Sequence, residues 1–138
     1  MPRPLVVEQH VPAPPERVYA AWMSAENLAQ WWWPHIPDTV YEIDARVGGK
    51  YEIRSDAVGI GAQGEYLELN PPNDFLMTWR WMTDGRWEVE ETVRVELAEE
   101  DGGTAVTLTH FLDDIVEDGE SLREGWEDVM ARLPAACV

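Results

Sequence analysis

At 138 residues the chain suits one domain spanning 1–138, since domains cluster at roughly 100–150 residues and bury about two-thirds of their unfolded surface at that size. Hydrophobic residues make up 45% and charged residues 27%, which excludes a disordered or fibrous chain. The formal charge of -17, from 27 acidic against 10 basic residues, disfavours nucleic acid and anionic membranes as partners.

Leu5 to Val11 is rich in β-branched residues and ends at Pro12, as a first strand should. Pro14-Pro15-Glu16 places proline and a carboxylate in a helical first turn, opening a short helix through Trp22 with Val18, Ala21 and Trp22 on one face. Ser24 is positioned to cap a second short helix over 25–33, stopped by Pro34. From Thr39 the period becomes alternating, which predicts a meander with strands at 39–46, 50–55, 63–69, 74–82, 87–98 and 104–112. Gly48-Gly49, the glycine-rich 58–62 stretch, 70–73, Asp84-Gly85 and 101–103 supply the turns, and such short connections imply antiparallel neighbours. A last helix follows, with Ser121 and Glu124 in capping-box spacing and Pro134 as its stop. Its Leu122, Trp126, Val129 and Leu133 form one apolar stripe, which needs the concave face of the sheet to cover it.

Residues two apart in a strand share a side, so parity assigns faces. Phe75, Met77, Trp79 and Trp81 fall together and should face the helix, with Thr78 and Arg80 opposite. Val93, Val95 and Leu97 point inward, as do Val106, Leu108 and His110. Extending the 87–98 strand backwards places Glu91, Val89 and Trp87 inside as well, unless a bulge intervenes. A buried Glu91 needs a partner, for which His110, Tyr51 and Tyr66 are candidates; the alternative is a solvated place at the rim. The Trp, Met and Tyr stripe either fills a core or walls a pocket for an apolar ligand. Gly125 beside Trp126 favours the pocket, because a helix-interior glycine costs about 1 kcal/mol relative to alanine and so suggests a need for space.

The acidic excess lies late: Asp84 to Asp128 holds 16 acidic side chains with only Arg86, Arg94 and Arg123 as basic ones, which reads as a solvated face. Cys137 is the single cysteine, at a terminus expected to fray, so no intramolecular disulfide or thiolate cluster can form. No run of about 18 apolar residues occurs and none follows the N-terminus, so neither a membrane span nor a signal peptide is expected, and a cytoplasmic setting fits. His10, His35 and His110 lack ligand spacing, and Gly59-Ile60-Gly61 lacks the lysine and helix of a phosphate loop, so no metal and no cofactor are expected. His35 reads as a loop residue near a pocket entrance, and Arg46 as the partner of an acidic neighbour.

Read together, the landmarks resemble a known family. Ala29-Gln30-Trp31-Trp32 with Pro34, then Asp44-Ala45-Arg46-Val47-Gly48-Gly49-Lys50-Tyr51, are similar to the "WW.P" and "D.RPGG.Y" signatures of activator-of-Hsp90-ATPase-like proteins. The segments 64–68, 78–79, 103–110 and 125–126 match in order, so the resemblance spans Val7 to Leu133. It departs at Trp33, where the family usually has glycine, and at Val47, where it has proline. The resemblance implies an α+β helix-grip fold of the START/Bet v 1 type, with two short helices after the first strand and a curved antiparallel sheet wrapped around a long C-terminal helix. The wider group includes co-chaperone domains, lipid and polyketide carriers, cyclases and self-resistance proteins, so fold does not fix function.

The first expectation is non-catalytic binding of a small hydrophobic or aromatic molecule between sheet and helix. Its wall residues are Trp32, Tyr51, Tyr66, Met77, Trp79, Trp81, His110, Gly125, Trp126 and Val129. The alternatives are a cyclase- or isomerase-type enzyme using His110 with Glu91, and a co-chaperone-like or self-resistance protein with a chaperone as a possible partner. Either a monomer or a homodimer is compatible with the sequence.

Overall fold

The computed structural model describes residues 3–112 and 119–137. Strand β1 (Arg3–Val11) leads into helices α1 (Pro15–Trp22) and α2 (Ala25–Leu28). Then come β2 (Thr39–Ile43), β3 (Lys50–Ser55), β4 (Ile60–Asn70), β5 (Asp74–Thr83), β6 (Arg86–Trp87), β7 (Glu91–Glu100) and β8 (Gly103–Leu112). Helices α3 (Gly119–Met130) and α4 (Leu133–Ala136) end the chain. The strands pair antiparallel in the order β1-β8-β7-β5-β4-β3-β2, with β6 joined to β5. This is the curved, open sheet of a helix-grip fold, with α3 across its inner face.

Six expectations are corrected. The second helix is a single turn: Ser24 does cap it, accepting from the Asn27 N–H at 3.1 Å, but after Leu28 the chain continues as turns. Trp33 has φ 55°, a left-handed conformation that no helix tolerates, and it precedes Pro34, which already disfavours helix at that position. The glycine-rich stretch is only partly a turn, since Ile60-Gly61-Ala62 belongs to β4 and pairs with β3. The strand expected over 87–98 is broken at 88–90: Trp87 pairs with Met82 and Glu91 with Trp79, so the register against β5 shifts by one residue between them. Pro134 does not stop the long helix but sits in the first turn of α4, and Cys137 beyond it is buried rather than frayed. The helix begins before Ser121, so Ser121 is not its cap; its side chain lies outside the described residues.

Parity holds where it matters. Phe75, Met77 and Trp79 are buried on the inner face, as are Val93, Val95, Leu97, Val106, Leu108 and His110. Each full burial of a large apolar side chain is worth about 1.5–3 kcal/mol, so these three strands anchor the core. In β4 a bulge between Tyr66 and Glu68 bends the strand. Gly64 lets it lie against β5, because a Cβ there would collide with the Thr78 carbonyl oxygen. Helix α3 is tied to the edge strand by Arg123, whose Nη1 donates to the Val6 carbonyl at 2.9 Å. No helix among the described residues is long and apolar enough to cross a membrane.

Candidate functional site

Three parts of the chain converge on one cavity. The turn after α2 delivers Trp32 and Trp33, the end of β5 delivers Trp79 and Trp81, and one face of α3 delivers Leu122, Gly125, Trp126 and Val129. The break at 88–90 completes the wall with Glu88 and Val89, followed by Glu91. The pocket has a volume of about 340 Å³, at the lower end of the roughly 300–1,000 Å³ usual for small-molecule sites.

Five tryptophans line it as one contiguous cluster, in which Trp32 and Trp79 also approach to 6.1 Å. Centroid separations run 6.2 Å from Trp32 to Trp33, 5.8 Å to Trp81, 6.2 Å to Trp79, 4.8 Å to Trp126 and 5.4 Å back to Trp32. Trp79 and Trp81 are nearly parallel, at 9°, and the Trp126–Trp32 and Trp33–Trp81 pairs meet edge to face. Such pairs add about 0.5–1.5 kcal/mol beyond area burial, so the walls are stiff. Trp33, with its left-handed backbone, packs its ring on Trp32 and Trp81, where the family pattern has no side chain at all.

Behind Trp79 and Trp126 lies a buried polar chain. The Trp126 Nε1–H donates to His110 Nδ1 at 3.0 Å, and His110 Nε2 lies 2.7 Å from Glu91 Oε1. An indole nitrogen only donates, so Nδ1 must be bare and the proton sits on Nε2, pointing at the carboxylate. His110 is therefore a neutral imidazole with both nitrogens engaged. It is fully buried, whereas Glu91 is 9% exposed and reaches the pocket. Of the candidate partners for Glu91, it is His110 that the structure provides; the solvated-rim alternative does not describe this side chain.

The expected site residues divide into two groups. Trp32, Trp79, Trp81, Gly125, Trp126 and Val129 surround the pocket, and a Cβ built on Gly125 meets nothing within 4 Å, so space is open there. Tyr51, Tyr66 and Met77 lie deeper, around a void of only about 10 Å³, where they pack as core. Burial pushes both phenols well above their ordinary pKa, with the Tyr66 phenol adding to the rise at Tyr51 and Tyr19 and Asp44 to that at Tyr66, and the Tyr51 hydroxyl donates to the Thr78 carbonyl at 2.6 Å. His110 supports the wall from behind rather than lining it.

Residues missed as wall members are Trp33, Thr83, Glu88, Leu122 and Val89, the last placed on the inner face by parity but not in the wall. Leu122 was legible from its helix stripe, and Trp33 from its departure at the entrance. Thr83 and Glu88 have no signal, because only the broken strand brings them there. His35 is exposed and outside the wall, and Arg46 pairs with Asp44 at 2.8 Å. Among the described residues no group of histidine, cysteine and carboxylate side chains could hold a metal.

The architecture recurs in solved structures. Protein CV1439 from Chromobacterium violaceum is 29% identical, with 99% of this chain and 98% of that one covered and a TM-score of 0.77. An uncharacterized protein from Rhizobium leguminosarum is 25% identical over 99% and 95% of the two chains, with a TM-score of 0.81. Mll3558 from Rhizobium loti, 21% identical over 99% and 97%, shares the fold at a TM-score of 0.80. None of the curated proteins matches the chain. The family model described as activator of Hsp90 ATPase homolog 1-like protein matches residues 12–137. With its inner sheet face, gripped helix and ordered landmarks all in place, the chain belongs to the activator of Hsp90 ATPase homolog 1-like family.

Proposed function

We propose that the chain binds a small, largely apolar molecule without transforming it, in the pocket between β5, the turn after α2 and α3. The observation that carries this reading is the cluster of five tryptophans lining a cavity of about 340 Å³. A structural core would close over such rings; here Gly125 leaves room beside Trp126. Engagement of both His110 nitrogens argues against that histidine as a general base toward a ligand, since a base needs a lone pair within reach of the proton it takes.

The test is tryptophan emission titrated with a panel of one- to three-ring aromatic compounds, on the native chain and on Gly125→Leu. The expected result is a saturable emission change for at least one compound, abolished in Gly125→Leu while its circular dichroism stays native. A silent panel, or equal binding by Gly125→Leu, refutes the reading.

A further inference from the structure

We propose that Trp33 sets the size limit of the pocket, so that the bound molecule is a flat apolar body of two or three rings and not a larger polycycle. This rests on the binding reading above and specifies its ligand. Backbone, packing and cavity shape each point to it.

Trp33 holds φ 55°, the left-handed conformation in which a Cβ crowds the backbone. The other described residues with positive φ are Asp38, Asp84, Asp101 and four glycines. Glycine adopts that conformation freely, and aspartate is enriched there through its short polar side chain. Trp33 is the one bulky side chain in the set, so something other than the turn selects it.

The turn itself needs only the backbone of this residue, whose carbonyl accepts from the Ile36 N–H at 3.2 Å. The side chain goes to the cavity instead. It stands in the wall, buried, with its ring edge to face against both Trp32 and Trp81. Backbone strain of this kind persists where the surroundings impose it, ligand clamps among them.

On α3 the wall contains Gly125, where an added Cβ meets nothing within 4 Å. The pocket therefore keeps its space beside α3 and loses it beside the turn after α2, where an indole stands. At about 340 Å³ it lies near the bottom of the usual range for small-molecule sites. An indole is itself a two-ring body, so taking it away opens room for a ligand larger by about two rings.

The deciding measurement is equilibrium titration with 2-naphthol, which has two rings, and 1-hydroxypyrene, which has four, each followed by the emission of the probe itself. Apolar area alone favours the larger probe, so a preference for the smaller one reports a steric limit. The native chain should bind 2-naphthol about tenfold tighter than 1-hydroxypyrene, the size of effect that overpacking gives. Trp33→Phe should narrow that ratio and Trp33→Gly should reverse it. Trp87→Phe, at a tryptophan outside the described wall, should leave it unchanged.

A native chain that binds 1-hydroxypyrene as tightly as 2-naphthol overturns the size limit and leaves the apolar-binding reading standing. A ratio that Trp33→Gly leaves unchanged, both affinities moving together, gives Trp33 a merely structural role and also overturns it, as does an equal shift in Trp87→Phe. Binding of neither probe by the native chain overturns the size limit, and together with a silent fluorescence panel it overturns both. Should Trp33→Gly fail to fold by circular dichroism, Trp33→Phe decides the matter, since it keeps an aromatic ring at the position while vacating part of the space.

Discussion

At the scale of single residues, the fold turns on how His110 is satisfied. A histidine with no exposed surface must place both ring nitrogens, and it does so between an indole donor and a carboxylate acceptor. Removing one partner of such a buried charged contact costs about 3–5 kcal/mol, because the group left behind stays buried without its bond. Removing both together costs much less than the sum. His110→Leu and Glu91→Leu should therefore each lower stability strongly, and the double variant should lose far less than the two losses added. Urea unfolding of the three variants checks this. Losses that add within about 0.5 kcal/mol would show the contact to be energetically idle. Parity alone located both side chains, because β7 and β8 are regular through Val93 and His110. The tautomer was not legible, since it depends on Trp126 arriving from a helix far away in the chain.

At the scale of elements, the sheet was readable and its irregularities were not. Alternation in 74–82 and 104–112 assigned faces correctly because each strand there has one dry side. The break at 88–90 has the same alternating pattern as the strand around it, and only the one-residue register shift against β5 between Trp87 and Glu91 marks it. The bulge at Tyr66/Glu68 was equally silent. These two irregularities shape the inner face, one opening the pocket wall and the other curving the sheet beside it. Gly64 is the tightest point of that curve: a methyl group there would meet the Thr78 carbonyl and the Tyr51 ring, both held by the paired strands. Gly64→Ala should accordingly destabilise by about 1–3 kcal/mol, the usual price of overpacking. Gly125→Ala, which meets nothing, should be neutral or stabilising by up to about 1 kcal/mol. Thermal melts of the pair give the comparison. A Gly64→Ala protein as stable as the native chain would mean that β4 and β5 can separate at no cost.

At the scale of the whole molecule, the charge distribution and the tyrosines set the limits of stability. Ten basic residues comprise nine arginines and the lone Lys50, so few cations titrate below strongly alkaline pH. All four tyrosines have phenols raised by burial: Tyr19 to about 12, with Asp74 adding to the rise, and Tyr41, Tyr51 and Tyr66 in the same direction. The folded chain therefore holds its phenolic protons above pH 10, where the unfolded chain, near the ordinary value of about 10, has begun to release them. More protons bound by the native state means that stability falls as pH rises. The contribution is fully present below pH 10 and is lost from there through about 12, where Tyr19 titrates, and beyond. The urea midpoint should thus be insensitive to these groups up to about pH 9 and drop steeply above 10, with tyrosinate absorbance appearing together with unfolding. Salt separates this cause from general repulsion. Screening relieves the mutual repulsion of exposed carboxylates but cannot solvate a buried phenolate, so about 1 M salt should raise the midpoint at neutral pH and leave the alkaline fall in place. A fall that disappears in salt would assign it to the -17 net charge, and tyrosinate absorbance rising well before unfolding would place the phenols in contact with water.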